Sequence, residues 1–562
     1  MTVVWDAARV RAGLHEIGAA RPAFLERLGA VLDERHGVRR TRRQHEVLFG
    51  DWAERFLHLV LVVLEQRRDG AGAVPVPPPA STAAAPAPPP ASTAAAPAAV
   101  PFADAEAFFA AHESLPGLVA KHLTALVAGV APTVSGAAVR VGLDAGPGRR
   151  DRLAAALLGL GATRRPAVLL VRPFSGRMPR EWSRLVRGWR RWARHDDLCL
   201  PWSTRVAPDT AWRASLVAGA ARLGPDPGLL EAALVLLPYH LPVALGEAMP
   251  AVREAALRAR PHRPRAVYSS QSLWTHLAFK VLVAEWIALG TRLLYHQHGG
   301  WYGLDEEHVA ERYEVRTADR YYTWGWSRGD AHTRALPPPV PAPRREPPSY
   351  DSLVCFDQPS RVYRLQYFPL PSDCGAPAGD RDAPAGDRDA PAGSVERMHA
   401  EALAFVAGRR SAVPLRVRPF PGVGWGFAAR VTALGAPGVS LVAGGPIAEQ
   451  YAGSRIVVHS YLGSSWLETL GWDVPTVCFH DPAAYAFRAD ALPLLDDLRR
   501  VGILHDSAAS ALAHLATIDD DPGAWWGSSR VQVARIAFAD RFANFAPTWQ
   551  DELERELSAH AR

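Results

Sequence analysis

The chain has 562 residues, of which 48% are hydrophobic and 21% charged, and its formal net charge is +6. One hydrophobic core rarely organises so long a chain, so two domains with appended segments are expected. The four cysteines have no CxxC spacing, which argues against a disulfide framework and a structural zinc site and favours a reducing cytoplasm. The N-terminus lacks the apolar segment of a signal peptide, which argues against secretion.

The opening segment predicts helices, and the next segment predicts a tether. The longest apolar run, 56–64, is far shorter than the ~20 residues that cross a bilayer, so it is expected to be a buried helix. The stretch PPPASTAAAPA then occurs twice in succession, at 77–87 and 88–98. Because it lacks the large apolar side chains of a core, we predict a helical N-terminal region over 1–68 and a Pro/Ala-rich linker over 69–100.

The residues from 101 to 335 predict a first α/β domain, which would hold the acceptor. A helical stretch over 272–289 lies between two strand patterns, and strand, helix, strand is typical of a parallel sheet. A proline-rich hinge follows at 336–349. The segments with the pattern of buried strands are AVLLVRPF (167–174), RAVYSS (265–270) and RLLYHQH (292–298).

A basic stripe is predicted within this domain, on a helix over 180–194. Its arginines repeat every three or four residues, and Trp182 and Trp189 fall on the opposite face. The ordinary interpretation is a solvated face over a core, and the alternative is a peripheral contact with the inner face of the membrane. The basic balance would also permit nucleic-acid binding, but no RNA- or DNA-binding motif accompanies it, so no nucleic-acid partner is expected.

The segment YHQHGGWYG, 295–303, combines histidines, glycines and aromatic residues at the end of a predicted strand. His296 and His298 share a strand face and could bind a metal together with His308, but no carboxylate lies in the strand. The HGG motif and a G-x-S-x-G match around Ser327 suggest a serine hydrolase, but the two motifs lie too close together in sequence for that fold.

A third interpretation of this segment is a loop that holds a ligand. Glycines at the carboxyl end of a strand let the backbone approach a ligand, and their N–H groups can bind an anion. His298 is then placed as a general base, because an imidazole titrates near neutral pH. A glycine turn beside a buried histidine explains the same residues without any ligand.

The residues from 350 to 562 predict a second, doubly wound α/β domain on the nucleotide-donor side. Strand and helix patterns alternate along it, and a low-complexity insertion at 375–394 contains APAGDRD twice. The segment SRIVVHSYLGSSWLETLGWDVPTVCF, 454–479, predicts a strand that leads through small residues into a helix. Such a helix start favours phosphate, while Ser465 and Glu468 also fit a capping box.

These segments together resemble a family of bacterial transferases encoded in surface-carbohydrate biosynthesis loci. Such proteins are distantly similar to GT-B glycosyltransferases and to capsule or teichoic-type polymer transferases. The resemblance rests on HGVRRTRRQHEVLFGDWAERFLHLVL in the N-terminal region, Phe279-Lys280, QHGGWYG (297–303), ADRYYTWGW (318–326), the segment 454–479 and Trp525-Trp526. It implies two facing Rossmann-like domains, a nucleotide-activated donor held mainly by the C-terminal domain, and no essential metal or cofactor.

We therefore predict a GT-B-like α/β fold and a cytoplasmic transferase that moves a sugar or related group from a nucleotide-activated donor to a surface-polysaccharide precursor. The expected partners are a nucleotide-sugar donor and a glycan or lipid-linked acceptor. The alternatives are a non-catalytic glycan- or nucleotide-binding protein on the same fold, and a serine hydrolase that uses Ser327.

On the acceptor side, His298 would deprotonate the acceptor hydroxyl or hydrogen-bond the donor phosphate. Gln297, Gly299 and Gly300 would shape the same wall of the site. Lys280 is a further ligand-binding candidate, because only two lysines occur in this arginine-rich chain and a lysine is not equivalent to an arginine.

On the donor side, the helix start at Ser464 and Ser465 would hold the pyrophosphate, and Glu468 would contact the ribose. Arg416 and Arg418 lie on one face of the predicted strand PLRVRPF. They are candidates for neutralising the charge of the leaving group.

Overall fold

The computed structural model describes residues 7–68, 99, 101–105, 115–143, 165–173, 185–198, 200–217, 223–306, 308–355, 394–419, 426–442, 444–482 and 485–562. The predicted linker apart from Ala99, and the predicted insertion apart from Ser394, lie outside these ranges. Within them, none of the helices combines the length and apolar character that a membrane crossing requires.

The chain divides into two compact units that alternate along the sequence. One consists of Met1–Arg152, Leu198–Arg263 and Ser272–Gly290; the other consists of Leu153–Asp197, Pro264–Gln271 and Thr291–Arg562. The first unit is mainly helical, and the second contains both parallel sheets. The domain boundaries predicted from the sequence stay a prediction.

The helical unit consists of helices and a two-stranded antiparallel ribbon. Its described elements are α1 (Ala7–His36), α2 (Arg42–Arg68), α3 (Leu115–Val127), β1 (Val139–Leu143), β4 (Trp202–Val206), α4 (Thr210–Val217), α5 (Leu229–His240), α6 (Met249–Ala259), α7 (Ser272–Thr275) and α8 (Leu277–Ala288). The helix predicted over 272–289 is thus interrupted at His276, where the backbone is extended.

Charged side chains are buried between the helices of this unit. Arg21 of α1 pairs with Glu46 and Glu54 of α2. Lys280 of α8 donates to both carboxylate oxygens of Asp51 at 2.9 Å and is 2% exposed. A buried ion needs such a partner, because the desolvation of an unpaired charge is costly. The Lys280 ammonium is therefore engaged in helix packing.

The first sheet consists of β2 (Val168–Val171), β3 (Ala193–His195), β5 (Ala266–Ser269), β6 (Arg292–His296), β7 (Arg320–Thr323) and β8 (Thr333–Ala335). The six strands are parallel in the spatial order β3-β2-β5-β6-β7-β8. The three strands predicted at 167–174, 265–270 and 292–298 are confirmed as β2, β5 and β6. Helix α9 (Val309–Thr317) connects β6 to β7.

The predicted basic helix is only partly described, since residues 174–184 lie outside the described ranges. The helix prediction is wrong at its C-terminal end, where residues 193–195 form β3. Trp189 is buried in the core of the first sheet with Val186, so its indole is not available to a lipid surface. Within the described part of the segment, burial against the sheet explains the apolar face of the pattern.

The second sheet consists of β9 (Tyr350–Cys355), β10 (Leu415–Pro419), β11 (Val439–Leu441), β12 (Ser454–His459), β13 (Thr476–Phe479) and β14 (Leu504–His505). Its described helices are α10 (Ser394–Gly408), α11 (Phe427–Ala433), α12 (Ile447–Ala452), α13 (Ser464–Gly471), α14 (Leu492–Arg500), α15 (Ala508–Ile518), α16 (Pro522–Trp526) and α17 (Ser529–Phe542). The strands are parallel in the order β11-β10-β9-β12-β13-β14, which is the 3-2-1-4-5-6 order of a Rossmann fold.

The last helix, α18 (Trp549–Ala559), returns to the first sheet. Its Trp549, Leu553 and Leu557 are buried with Val168 and Tyr268 of that sheet. The predicted fold is therefore confirmed as two parallel, six-stranded α/β sheets of Rossmann type with a helical N-terminal region.

Candidate active site

The first turn of α13 lies at the switch point of the second sheet. From β9 the chain proceeds to β10 and β11 and then returns to β12 on the other side of β9. Ligands of doubly wound sheets bind beyond the carboxyl ends of the strands at such a point. Since β12 ends at His459 and α13 begins at Ser464, the helix start is where a ligand of this sheet is expected.

The loop after β6 contacts this helix start directly. The Gly300 N–H donates to Ser464 Oγ at 2.8 Å. A Cβ atom on Gly300 would lie 2.6 Å from the Gly463 carbonyl carbon and 2.7 Å from the Ser464 nitrogen. Only a glycine allows this approach, because the obstructing atoms belong to backbone. Two loops that the sequence separates by more than 160 residues thus lie in direct contact.

A second contact between the two sheets lies beside the first. Asp305 forms an antiparallel bridge with Phe487, and the Arg488 N–H donates to the Leu304 carbonyl at 2.9 Å. The Arg488 guanidinium also donates to the Glu311 carboxylate at 2.6 Å. Backbone pairing and a charge-assisted hydrogen bond therefore hold the loop after β6 to the second sheet.

Glu311 organises the loop from the first turn of α9. Its carboxylate is fully buried and accepts from the Gly303 N–H and from Arg328, both at 2.8 Å. Gly303 has φ +75°, a conformation that L side chains rarely adopt. His308 caps α9 by accepting the Glu311 N–H at 3.0 Å. The loop is thus fixed at both ends.

His298 lies beside a buried carboxylate at the carboxyl end of the first sheet. Its side chain is 27% exposed, and its Nδ1 is 3.4 Å from Oε1 of the fully buried Glu314. The Tyr302 hydroxyl donates to the same oxygen at 3.0 Å, and the Tyr321 hydroxyl donates to Oε2 at 2.9 Å. Burial raises the pKa of Tyr321 well above its ordinary value, and the negative charge of Glu314 adds to the rise, so this phenol remains a donor.

Gln297 supports the loop from inside. Its amide nitrogen donates to the Gly299 carbonyl at 2.9 Å. Its Oε1 accepts from the Trp324 N–H at 3.0 Å and from the Trp326 indole at 2.9 Å. These hydrogen bonds engage both the nitrogen and the oxygen of the side-chain amide, so Gln297 positions the backbone of the loop.

The start of α13 differs from the predicted capping box. Gly463 occupies the cap position and offers no side-chain hydrogen bond. The Ser465 hydroxyl is 2.8 Å from the Tyr461 hydroxyl and 3.4 Å from His459 Nδ1. The capping-box interpretation of Ser465 and Glu468 is therefore wrong, because the cap position is Gly463, two residues before the Ser465 that the pattern places there. The first backbone N–H groups of an α-helix have no carbonyl partner within the helix, and such a helix start favours an anion.

Glu468 is half-buried on α13, one turn after Ser464. Burial raises the pKa of Glu468 to about 8, although a hydrogen bond with Tyr451 opposes the rise. The carboxyl group is thus mostly protonated at neutral pH. A neutral carboxyl group does not repel a phosphate and can donate a hydrogen bond to a hydroxyl.

The two arginines predicted on the donor side have different surroundings. The exposed Arg416 stacks on the ring of Tyr350, 3.7 Å from its centroid, at the amino end of the sheet. Arg418 is buried and donates to the carbonyls of Gly444, at 2.9 Å, and Gly445. The structure does not bring Arg416 to the start of α13, and the guanidinium of Arg418 supports a neighbouring loop.

The metal alternative lacks its ligands. Burial lowers the pKa of His296 to about 3, and its Nδ1 is 2.7 Å from the Tyr268 hydroxyl while its Nε2 is 3.2 Å from the Leu336 carbonyl. The third candidate, His308, caps α9. In the part of the chain that the structure describes, no group of three or more histidine, cysteine, aspartate or glutamate side chains is placed to hold a metal ion.

The hydrolase alternative lacks the local fold that it requires. Ser327 is exposed, and its hydroxyl accepts the Gly329 N–H at 3.1 Å within the same turn. The chain then enters β8. A nucleophile elbow leads from a strand into a helix, so Ser327 has the surroundings of an ordinary turn residue.

Sequence reasoning missed Glu311 and Glu314, the two carboxylates that organise the loop. The only local signal is their spacing of three in VAERYEVR, which places them on one side of a short helix. Because glutamates at this spacing are usually solvated, nothing nearby in sequence indicates that both are fully buried.

Comparison with solved structures gives weak similarities. TarM matches with 9% identity and a TM-score of 0.31, over 52% of this chain and 54% of TarM, so the match spans about half of that protein. The Thermobaculum terrenum O-GlcNAc transferase, in a mutant form, matches with 13% identity and a TM-score of 0.31, over 100% of this chain and 98% of that one. The spinosyn forosaminyltransferase SpnP matches with 12% identity and a TM-score of 0.35, over 71% and 100%.

No curated protein matches the chain. The family model described as "LIC12162 family transferase" matches residues 212–370 and 409–557, which is more than half of the chain. The first matched range includes the loop with Gly300, and the second includes the helix start at Ser464. The chain belongs to the LIC12162 family of transferases.

Proposed function

We propose that this transferase is a glycosyltransferase, which moves a sugar or related group from a nucleotide-activated donor to a glycan or lipid-linked precursor of a bacterial surface polysaccharide. The donor class and the surface-polysaccharide acceptor follow the resemblance of its motifs to transferases of surface-carbohydrate biosynthesis. The chemistry of the site, taken residue by residue, is compatible with such a donor.

One observation carries the proposal: the loop with His298 and the start of α13 meet at the Gly300–Ser464 hydrogen bond. Group transfer requires the activated donor and the acceptor nucleophile to be held next to each other. In this arrangement a phosphate-binding helix start and an imidazole that can accept a proton belong to the same site.

The donor would be held by α13. Its first-turn N–H groups and the positive end of the helix dipole favour the pyrophosphate, with Ser464 and Ser465 at the helix start. The mostly protonated Glu468 would contact a ribose hydroxyl one turn further along. We leave Lys280, Arg416 and Arg418 out of this arrangement, because their charged groups are already engaged elsewhere.

The acceptor would approach from the side of His298. Its hydroxyl oxygen attacks the anomeric carbon of the sugar, the bond from that carbon to the phosphate oxygen breaks, and the nucleoside diphosphate leaves with the bonding electrons. Removal of the hydroxyl proton during the attack is the step that a histidine at neutral pH can assist. Ordered N–H groups stabilise the charge that develops on the leaving diphosphate.

A panel of nucleotides and nucleotide sugars tests donor binding by thermal shift. A ligand at 100 times its Kd is expected to stabilise the protein by about 2.7 kcal/mol, which appears as a rise in Tm of a few degrees. The Ser464→Ala/Glu468→Ala variant should lose most of that rise. If no nucleotide stabilises the wild type, or if the variant responds equally, the proposed donor site is wrong.

Transfer itself requires a separate measurement. Release of the nucleoside diphosphate from the donor identified in the panel should depend on added acceptor and should be lost in His298→Ala, while donor binding remains. Binding without any release, with every acceptor fraction tried, would favour a non-catalytic nucleotide-binding protein.

A further inference from the structure

We infer that Glu314 is a positioning residue that fixes the protonation of His298 so that it acts as a general base and not as a hydrogen-bond donor to the donor phosphate. The inference rests on the proposed function, since it assigns one of two roles to His298 within that site. The observations that carry it are the buried carboxylate and the two tyrosines around it.

Two groups face Nδ1 of His298. Glu314 Oε1 is 3.4 Å away, and the Tyr302 hydroxyl oxygen is 3.3 Å away. The Tyr302 hydroxyl donates its proton to Glu314 Oε1 at 3.0 Å. Its oxygen therefore presents lone pairs to the imidazole, as the carboxylate does.

Nδ1 thus faces two acceptors. This arrangement is favourable only if Nδ1 carries the ring hydrogen and can donate it. A neutral imidazole has one protonated nitrogen, so the other nitrogen, Nε2, carries the lone pair. A lone pair on Nε2 can take a proton from a hydroxyl and cannot donate a hydrogen bond to a phosphate. In serine hydrolases, a buried carboxylate likewise accepts from Nδ1 of the catalytic histidine and leaves Nε2 as the base.

Two tyrosine hydroxyls support a carboxylate at Glu314, because hydrogen bonds donated to a carboxylate favour its charged form. Tyr302 donates to Oε1 at 3.0 Å, and Tyr321 donates to Oε2 at 2.9 Å. The neighbouring carboxylate, Glu311, is compensated by two arginines, 328 and 488. The carboxylate of Glu314, 3.4 Å from Nδ1, therefore stabilises the imidazolium that forms during transfer.

The acceptor hydroxyl gives its proton to His298 Nε2 as its oxygen bonds to the anomeric carbon, and the sugar–phosphate bond breaks. The imidazolium then holds one proton on each nitrogen, and Glu314 remains a carboxylate. The proton on Nε2 passes to solvent or to the departing diphosphate before the next turnover.

The test titrates His298 without any substrate. Diethylpyrocarbonate acylates a neutral imidazole, and peptide mass spectrometry over a pH series gives the half-point for each histidine. The peptide that contains His298 also contains His296 and His308. These two histidines are almost fully buried and should react slowly. Fragment ions show which of the three histidines is modified. Glu314→Gln should move the half-point of His298 to lower pH by about one unit, because an attractive charge is lost.

Two further variants keep the test decisive if Glu314→Gln is unstable. Glu314→Asp retains the charge at a greater distance and should give a smaller shift in the same direction. Tyr302→Phe retains Glu314 and removes one acceptor from Nδ1, so it should also give a smaller shift. The matched control is Glu556→Gln on α18, which removes another buried carboxylate that accepts from a tyrosine, Tyr322, and should leave His298 unchanged.

An unchanged half-point in Glu314→Gln and in Glu314→Asp would overturn the inference, and so would an equal shift in the control. Once a donor and an acceptor are known, Glu314→Gln should lower kcat about 10–1,000-fold with a smaller change in KM. The acid limb of the pH–rate profile should move to lower pH by the same amount as the half-point of His298. If no nucleotide sugar binds but the half-point moves, the proposed function fails while the coupling of Glu314 to His298 stands.

Discussion

Gly300 approaches Gly463 so closely that a methyl group on residue 300 would lie 2.6 Å from the Gly463 carbonyl carbon. Neither residue 299 nor residue 300 has a positive φ, so the backbone conformation would tolerate a side chain at either position. A side chain at residue 300 is instead disfavoured by the contact with Gly463. The neighbouring glycine is a natural control, because a Cβ on Gly299 would meet Ser464 Oγ at an ordinary 3.5 Å.

Gly300→Ala should separate the two loops and destabilise the protein. We expect the free energy of unfolding to fall by about 1–3 kcal/mol, as for other substitutions that overfill a packed site. Donor-induced stabilisation should fall with it. Gly299→Ala should change both quantities little, and equal effects of the two substitutions in urea unfolding would contradict this account of the contact.

Glu311→Gln should weaken the connection between the loop and the second sheet. Two arginines and a backbone N–H would face a neutral amide, and breaking a buried ion pair typically costs about 3 kcal/mol. The control is Glu254→Gln, which removes the exposed pair with Arg258 and should cost less than about 1 kcal/mol. Urea unfolding of both variants measures the difference.

The site was only partly predictable from sequence. The strand before His298 and the small-residue helix start at Ser464 have local patterns that parallel sheets impose, and both were found. The Gly300–Ser464 contact has no local pattern, because it depends on how two sheets pack. Glu314 was missed for a related reason: its burial is created by Tyr302 and Tyr321, which belong to a loop and to another strand.

Glu468→Gln tests the raised pKa of that carboxyl group. Since the pKa is about 8 in the folded chain, against 4.5 ordinarily, the folded state binds the proton more tightly. The contribution of Glu468 to stability is therefore present at low pH and is lost as the pH rises from about 4.5 through 8.

The variant should accordingly gain stability relative to the wild type as the pH rises. We expect the difference in the free energy of unfolding to grow by about 1–2 kcal/mol across this range, less than the full shift implies, because the side chain is only half-buried. Urea unfolding at several pH values measures it. A difference that is constant with pH would contradict the raised pKa.

Glu556 should show the opposite dependence on pH. Burial opposes its ionisation, but hydrogen bonds from His560 and Tyr322 and the charge of Arg334 lower its pKa to about 2. Its contribution is therefore present above about pH 4.5 and is lost as the pH falls towards 2. The stability advantage of the wild type over Glu556→Gln should shrink over that range in acid titrations followed by circular dichroism; an advantage that persists at pH 2 would be inconsistent with the lowered pKa.

Ser327→Ala should leave transfer and stability unchanged, because the hydroxyl lies in an exposed turn that β8 follows. A fluorophosphonate probe should not label this serine in the folded protein. Labelling that Ser327→Ala abolishes would revive the hydrolase alternative and count against a transferase site at His298.

The return of α18 to the first sheet has a consequence for synthesis of the chain. Trp549, Leu553 and Leu557 complete a core whose strands begin near residue 168, so the ribosome delivers the last part of that core almost 400 residues after the first. Until then, the first sheet exposes the apolar surface that α18 will cover, which makes the nascent chain prone to aggregation. The residues of the second sheet are synthesised in the meantime, so the core of the first sheet is completed only after the second sheet has been made.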